Sequence, residues 1–219
     1  MDNIEKIIRE RHSVRNYLDK DIEEEKILVL NEMINKFNTA NSLNIQLITD
    51  DKAVFDKFIL SYGRLKNAKN YIALIGKNSD ELEEKVGYYG EKLVLKAQEL
   101  GLNTCWVAGT YKKNAVKAKI EKDEKLICVI AIGYGAVTGT NHKSKSYNDV
   151  STTTDAPDWY KKGVEYALLA PTAVNQQKFK FEYLGDYNVK ASAPKGHMTK
   201  VDLGIVKCHF ELASDKKIE

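Results

Sequence analysis

Tyr71-Ile72-Ala73-Leu74-Ile75 is an unbroken apolar run, without the polar alternation of a half-wet strand. It predicts a deeply buried strand, which needs cover on both of its faces. Just upstream, Asn44-Ile45-Gln46-Leu47-Ile48 reads as a second strand. Downstream, Val86, Leu93, Ala97 and Leu100 fall at helical spacing after Ser79, and Gly101 supplies a C-terminal stop. Thr104-Cys105-Trp106-Val107-Ala108-Gly109 then reads as a short buried strand running into a glycine turn. A Lys-rich helix is expected over about 111–121, and Leu126–Ile132 is another apolar strand, closed by Gly133-Tyr134-Gly135. Helices alternating with buried strands predict a layered α/β or α+β sheet protein.

Outside this stretch, Ile4, Ile7 and Ile8 form the stripe of a short helix over residues 3–10. Asp21 precedes Glu23-Glu24-Glu25, an acidic first turn, and Ile27, Leu30, Met33, Ile34 and Phe37 give the second helix one apolar face. Asn38 to Ser42 is expected to break it. Residues 136–156 are rich in Gly, Thr, Asn, Ser and Lys and suggest a long polar crossing. The expected organisation is therefore 1–150 and 151–219, two parts of one compact unit. Trp159–Leu169 reads as a helix ended by Ala170-Pro171, and Phe179-Lys180-Phe181-Glu182-Tyr183 as a strand with one wet face. A faint internal echo links Asn38-Thr39-Ala40-Asn41 with Pro171-Thr172-Ala173-Val174-Asn175, each following a helix and preceding a strand.

The composition narrows the function. The 219 residues carry 34 Lys+Arg against 31 Asp+Glu, so near-balance gives no case for a nucleic-acid binder. Cys105, Cys128 and Cys208 are odd in number, far apart and in apolar stretches, which fits reduced buried thiols better than disulfides or a zinc site. No CxxC or HExxH spacing occurs, and no metal site is expected. The acidic start Met1-Asp2-Asn3 argues against a signal peptide, and no run nears the roughly 18 apolar residues of a membrane span. A cytoplasmic protein is the expectation.

Four segments have side chains or backbone suited to chemistry. Arg11-His12-Ser13-Val14-Arg15 gathers donors able to grip a phosphate, or is a solvated basic turn between two helices. Asn141-His142-Lys143-Ser144-Lys145 offers lysines as point charges for a phosphate, or is a solvated loop. In Ala170-Pro171-Thr172-Ala173-Val174-Asn175-Gln176-Gln177 the amides suit the edge of a heterocycle, or simply cover a proline turn. In Gly101-Leu102-Asn103-Thr104-Cys105-Trp106-Val107-Ala108-Gly109 a small-residue turn at the end of a buried strand lets backbone N–H groups approach a ligand, or is a tight sheet edge. Cys105 reads as core rather than nucleophile, since no His lies near it in sequence.

Taken in order, the four segments resemble the FMN-dependent nitroreductase-like family. Its Arg-Arg/His-Ser-x-Arg/Lys signature is matched by Arg11 to Arg15, and its late basic motif by His142 to Lys145. Its Ala-Pro-Ser/Thr-Ala-x-Asn-x-Gln motif is matched by Ala170 to Gln177. In most of the family that last motif follows the first long helix. Here that place holds the degenerate Asn38–Asn41, which resembles a branch where a tandem-repeat single chain imitates the usual dimer. A second departure is Lys178, where the family usually has Pro followed by an aromatic.

The resemblance implies a three-layer α+β fold around a central mixed, largely antiparallel sheet, the C-terminal third partly repeating the first half. It implies one FMN per chain, NADH or NADPH as donor, a nitroaromatic, quinone or similar small acceptor, and a ping-pong cycle. Arg11, Lys143 and Lys145 would hold the phosphate, with His12 and Ser13 on the phosphate or ribityl chain. Arg15, and more weakly Arg64, would place positive charge at the flavin N1–O2 edge. Val107, Ala108 and Gly109 would bring N–H groups to the flavin, and Pro171, Thr172, Ala173, Asn175 and Gln177 would complete the pocket. The chain is expected to work as a monomer, without nucleic-acid or membrane partners. The rival reading is a flavin-binding carrier or sensor without efficient turnover.

Overall fold

The computed structural model describes residues 2–56 and 65–218. Its elements run α1 (Asp2–Glu10), α2 (Glu24–Asn41), β1 (Gln46–Ile48), β2 (Asn70–Lys77), α3 (Leu82–Glu99), β3 (Asn103–Val107), β4 (Glu124–Gly133), α4 (Tyr147–Val150), α5 (Asp158–Ala167), β5 (Lys180–Gly185), β6 (Asn188–Ser192) and α6 (Thr199–Ser214). This is a mixed α+β fold with an antiparallel sheet. The chain divides into two compact units, one of Arg11–Leu82 with Leu93–Thr140, the other of Met1–Glu10, Glu83–Lys92 and Asn141–Glu219. That partition departs from a boundary at 150/151: the polar crossing changes unit at Asn141, and two N-terminal stretches join the C-terminal one.

The first unit is built on a four-stranded sheet, β1-β2-β4-β3. Every pairing in it is antiparallel, so the expected mixture reduces to isolated parallel bridges such as Ser13 to Thr104. The apolar run of β2 takes the central register, Tyr71 opposite Ala131, Ile72 opposite Ile130 and Ala73 opposite Val129. Tyr71, Ala73, Cys105, Val107, Val129 and Ala131 join Val14, Tyr17, Val54 and Phe55 in one core cluster. The intervening Ile72, Leu74, Ile130 and Ile132 are buried as well, which is why these strands carry no polar alternation.

Two local expectations fail here. The Lys-rich stretch forms only a short 3-10 turn at Lys113–Ala115. Its backbone is taken by sheet side chains: Lys117 N–H donates to Tyr71 Oη at 3.0 Å, Lys119 N–H to Gln46 Oε1 at 2.9 Å, and Gln46 Nε2 donates to the Lys119 carbonyl at 2.7 Å. Helical pairing then loses those groups. Conversely, α2 does not break at Asn38. It continues to Asn41 and ends at Ser42, whose left-handed φ of 54° lets its N–H reach the Asn38 carbonyl.

In the second unit α6 is the core. Val201, Ile205, Val206, Cys208 and Phe210 are buried, and so are the polar Asp202 and His209. The sequence pattern predicts neither α6 nor β6. Phe210 stacks on Phe181 at 5.0 Å and meets the Tyr160 ring edge-on at 5.8 Å. Gly163 makes room for Phe210, since a Cβ there would lie 2.6 Å from the ring. Residues 83–92 of α3 cross α6 almost backbone to backbone: a Cβ on Gly204 would sit 2.0 Å from the Glu84 carbonyl oxygen, and one on Gly87 2.1 Å from that of Val201. The contact is flanked by Lys207 to Glu84 at 2.6 Å, Tyr88 to Glu211 at 2.6 Å, and the fully buried His209 Nε2 to Glu91 Oε1 at 2.8 Å. In the same unit Glu5 ties α1 to α5, accepting from Tyr166 Oη at 2.6 Å.

The order helix, strand, antiparallel strand, helix occurs twice among the described elements, as α2-β1-β2-α3 and as α5-β5-β6-α6.

Candidate functional site

In the sheet unit, the Arg11–Arg15 segment is not a loose turn. Val14 N–H donates to the Thr104 carbonyl at 3.0 Å, and Lys66 N–H donates to the Arg15 carbonyl at 2.9 Å. Those bonds hold the segment beside β3, with Val14 and Tyr17 anchored in the core. Gly139 packs on His12, where a Cβ would lie 2.3 Å from the His12 Cβ. Arg11 is buried and Arg15 exposed. Burial pushes the Cys105 thiol up, while the charges of Arg15 and Arg11 pull it down, which places both guanidiniums within electrostatic reach of the same strand residue. Burial of the phenol likewise raises Tyr17 far above the usual range.

β3 delivers the Val107–Gly109 turn at its end. Val107 is buried, Ala108 half-buried and Gly109 exposed. Among the described residues a Cβ on Gly109 would meet nothing within 4 Å, so a methyl there would fill open space. Arg64 lies outside the described residues.

In the other unit, two motifs far apart in sequence are locked together. Gln177 is buried, and its amide is fully employed: Oε1 accepts from Lys145 N–H at 2.8 Å, and Nε2 donates to the Lys143 carbonyl at 2.9 Å and to Asn175 Oδ1 at 2.8 Å. Asn175 Nδ2 donates to the same Lys143 carbonyl at 2.9 Å. Lys145 Nζ donates to the Gln177 carbonyl at 2.8 Å. His142 Nε2 and Ser144 Oγ both bond the Leu168 carbonyl, at 2.9 and 3.1 Å, which caps the end of α5. The amides of Asn175 and Gln177 thus grip the lysine loop, while Lys143 and Lys145 stay exposed.

The turn that presents these amides is strained. Val174, Asn175 and Gln177 have φ of 49°, 54° and 45°, a left-handed region costly for a β-branched valine. Pro171 stops α5 from continuing through it. Thr172 helps, its Oγ1 accepting from Gln177 N–H at 3.1 Å. The main brace comes from α6: Asp202 Oδ1 accepts from Ala173 N–H at 2.9 Å, and Oδ2 from Gln176 Nε2 at 2.7 Å. Burial pushes the Asp202 carboxyl up to about 6, against the lowering effect of those two bonds. No sequence motif marks Asp202 as a site residue, and Gln176 stands in the last motif without a role of its own. The one available signal was a carboxylate set inside the apolar run Val201-Asp202-Leu203.

The donor set suits a phosphate-bearing cofactor, and open space over a glycine turn suits a flat ring. Among the described residues no cluster of three or more His, Cys, Asp or Glu could hold a metal ion, and no helix is long and apolar enough to cross a membrane.

The family model described as "Putative TM nitroreductase" matches residues 3–214. Among curated proteins nothing matches. A solved structure of a "putative nitroreductase" from Thermotoga maritima MSB8 is similar at 24% identity and a TM-score of 0.70, over 96% of this chain and 82% of that one. A "putative nitroreductase in complex with FMN" from Desulfovibrio desulfuricans aligns at 18% identity and a TM-score of 0.52, over 70% of this chain and 98% of that one. A "Putative NADH Oxidase" from Clostridium acetobutylicum aligns at 22% and 0.53, over 69% and 99%. At these identities the three structures speak for the fold.

Proposed function

The chain belongs to the nitroreductase-like family, and we propose that within it the protein is an FMN-dependent NAD(P)H oxidoreductase. The observation that carries this reading is the lock between the lysine loop and the Pro171–Gln177 turn, which presents two exposed lysines on a rigid backbone. FMN, when bound, would supply hydride acceptance from NADH or NADPH and electron delivery to a nitroaromatic, quinone or similar acceptor, in a ping-pong cycle.

The protein's own residues would bind and orient. Lys143, Lys145 and Arg11 would neutralise the phosphate, with His12 and Ser13 adding hydrogen bonds to the phosphate or ribityl chain. Arg15, exposed and fixed at its backbone, would hold positive charge at the flavin N1–O2 edge. Val107, Ala108 and Gly109 would offer backbone N–H groups. Pro171, Thr172 and Ala173 would shape the covering turn, while Asn175 and Gln177 would act by holding the lysine loop. We further infer one FMN per chain, with a monomer imitating a dimer; the doubled helix-strand-strand-helix order supports it.

A visible absorption spectrum with added FMN, then anaerobic NADH and NADPH, tests the reading. The expected result is sharpened flavin bands that bleach with one nicotinamide. Bands that stay unbleached would replace the reductase with a carrier or sensor, and absence of binding would refute the cofactor. Arg15→Ala is expected to slow turnover by roughly 100-fold, the size of losing one electrostatic stabiliser; unchanged turnover would remove Arg15 from that role. A solution mass showing an obligate dimer with two flavins at its interface would overturn the monomer.

A further inference from the structure

We propose that Asp202 of α6 is a positioning residue for the lysine loop, acting through the Thr172–Gln177 turn; its consequence for cofactor affinity rests on the FMN reading above. The path is continuous. Asp202 holds Ala173 N–H at 2.9 Å and Gln176 Nε2 at 2.7 Å. Two residues or fewer along the backbone, Asn175 and Gln177 hold the Lys143 carbonyl, and Gln177 Oε1 takes the Lys145 N–H. Asp202 touches neither lysine. It fixes the one stretch whose amides do.

Three features make this more than a buried carboxylate that packs well. The turn it braces has three residues at positive φ, including Val174, and such a backbone persists only where its surroundings over-determine it. Val174 itself is 64% exposed, so packing does not hold it there. Asp202 is 2% exposed and sits in the first turn of α6, where its own N–H bonds the Met198 carbonyl at 2.9 Å, so the brace is anchored to the core helix of its unit. Both oxygens receive N–H donors, which a carboxylate satisfies and an isosteric amide does not. An amide in its place would turn an NH2 group towards one of the two donors. Gln176 Nε2 also donates to the His197 carbonyl at 3.0 Å, so it keeps a partner when Asp202 is altered. The charge of His197 lowers the Asp202 carboxyl.

The test compares wild type, Asp202→Asn and the milder Gln176→Ala, which removes one link through a half-buried side chain and leaves Asp202 Oδ1 on Ala173 N–H. Amide hydrogen exchange is read at Lys145 and at a core amide of the same unit, Phe210, in protein free of FMN; FMN affinity is read separately by fluorescence quenching. The expected result is exchange at Lys145 faster by about tenfold in Asp202→Asn and by less in Gln176→Ala, with Phe210 unchanged. FMN should dissociate about tenfold more readily from Asp202→Asn, and wild-type affinity should fall as pH drops through about 6 more steeply than that of Asp202→Asn. Unchanged exchange at Lys145 in both variants overturns the proposal, as does faster exchange at Lys145 and Phe210 together, which marks a merely structural role. If wild type binds no FMN but Lys145 exchange still responds, the positioning role stands and the cofactor reading falls.

Discussion

Replacing Gly204 by alanine should separate two helices. The added Cβ would lie 2.0 Å from the Glu84 carbonyl oxygen and 2.7 Å from the Tyr88 nitrogen, where ordinary contact begins at about 3.4 Å. The obstacle is helix backbone rather than the end of a flexible side chain, so relief requires the axes to part by about 1.4 Å, the gap between 3.4 and 2.0 Å. Alanine recovers about 1 kcal/mol of helix propensity. Against this stand about 1–3 kcal/mol for overpacking and a further ~1–3 kcal/mol if parting weakens a flanking buried hydrogen bond such as His209 to Glu91. The net is a loss of roughly 1–5 kcal/mol, which for a chain of 219 residues corresponds to a fall in Tm of roughly 2–20 °C. Urea unfolding followed by far-UV circular dichroism reads it directly. Gly204→Ala as stable as wild type, within about 0.5 kcal/mol, would refute the backbone crossing.

Gly109→Ala should leave stability unchanged, because no described residue lies within 4 Å of its Cβ; a weaker flavin affinity in the same variant would support close approach there, and unchanged affinity would exclude it. Tyr111 Oη is buried with no hydrogen-bond partner among the described residues, so Tyr111→Phe should be neutral or stabilising by about 1 kcal/mol; a loss above 1 kcal/mol in urea unfolding would mean that the hydroxyl has a partner. Asp202 is pushed up from its ordinary 3.8 to about 6. Its raised carboxyl favours the folded state below about pH 4, and that advantage, on the order of 2–3 kcal/mol, is lost as pH rises from about 4 to about 6. Unfolding measured at pH 4 and pH 7 should therefore show the slope in wild type and not in Asp202→Asn; equal slopes would place the carboxyl at its ordinary value.

The sheet was legible because its central strands are buried on both faces: runs such as Tyr71–Ile75 have no alternative use in a protein of ordinary composition. The short motifs were legible too, since Arg, Lys, Asn and Gln at fixed spacing declare their hydrogen-bonding chemistry. What local pattern hid was long-range. The Lys112–Lys119 stretch looks helical until Tyr71 and Gln46, more than forty residues away, take its backbone. α6 mixes Asp202, Gly204 and His209 into an apolar helix, and each makes sense only against its partner: the Ala173 turn, the Glu84 backbone, Glu91. Likewise, Asn175 and Gln177 announced amides but not what they hold.

The α6 unit draws on three stretches of sequence, and this bears on how the chain is made. Arg9 waits for Tyr166, 157 residues later, and Glu91 for His209, 118 residues later. At about 5–20 residues per second of synthesis, the first helix spends roughly 8–30 s without its partner. The glycine-lined face of α3 is bare for most of that interval, and a nascent chain arrested before residue 199 cannot cover it. The sheet unit ends at Thr140, while the lysine loop and its Asp202 brace come together only as the last helix emerges. Chaperones that shield half-made helical surfaces should therefore matter more to this protein's yield than its modest size suggests.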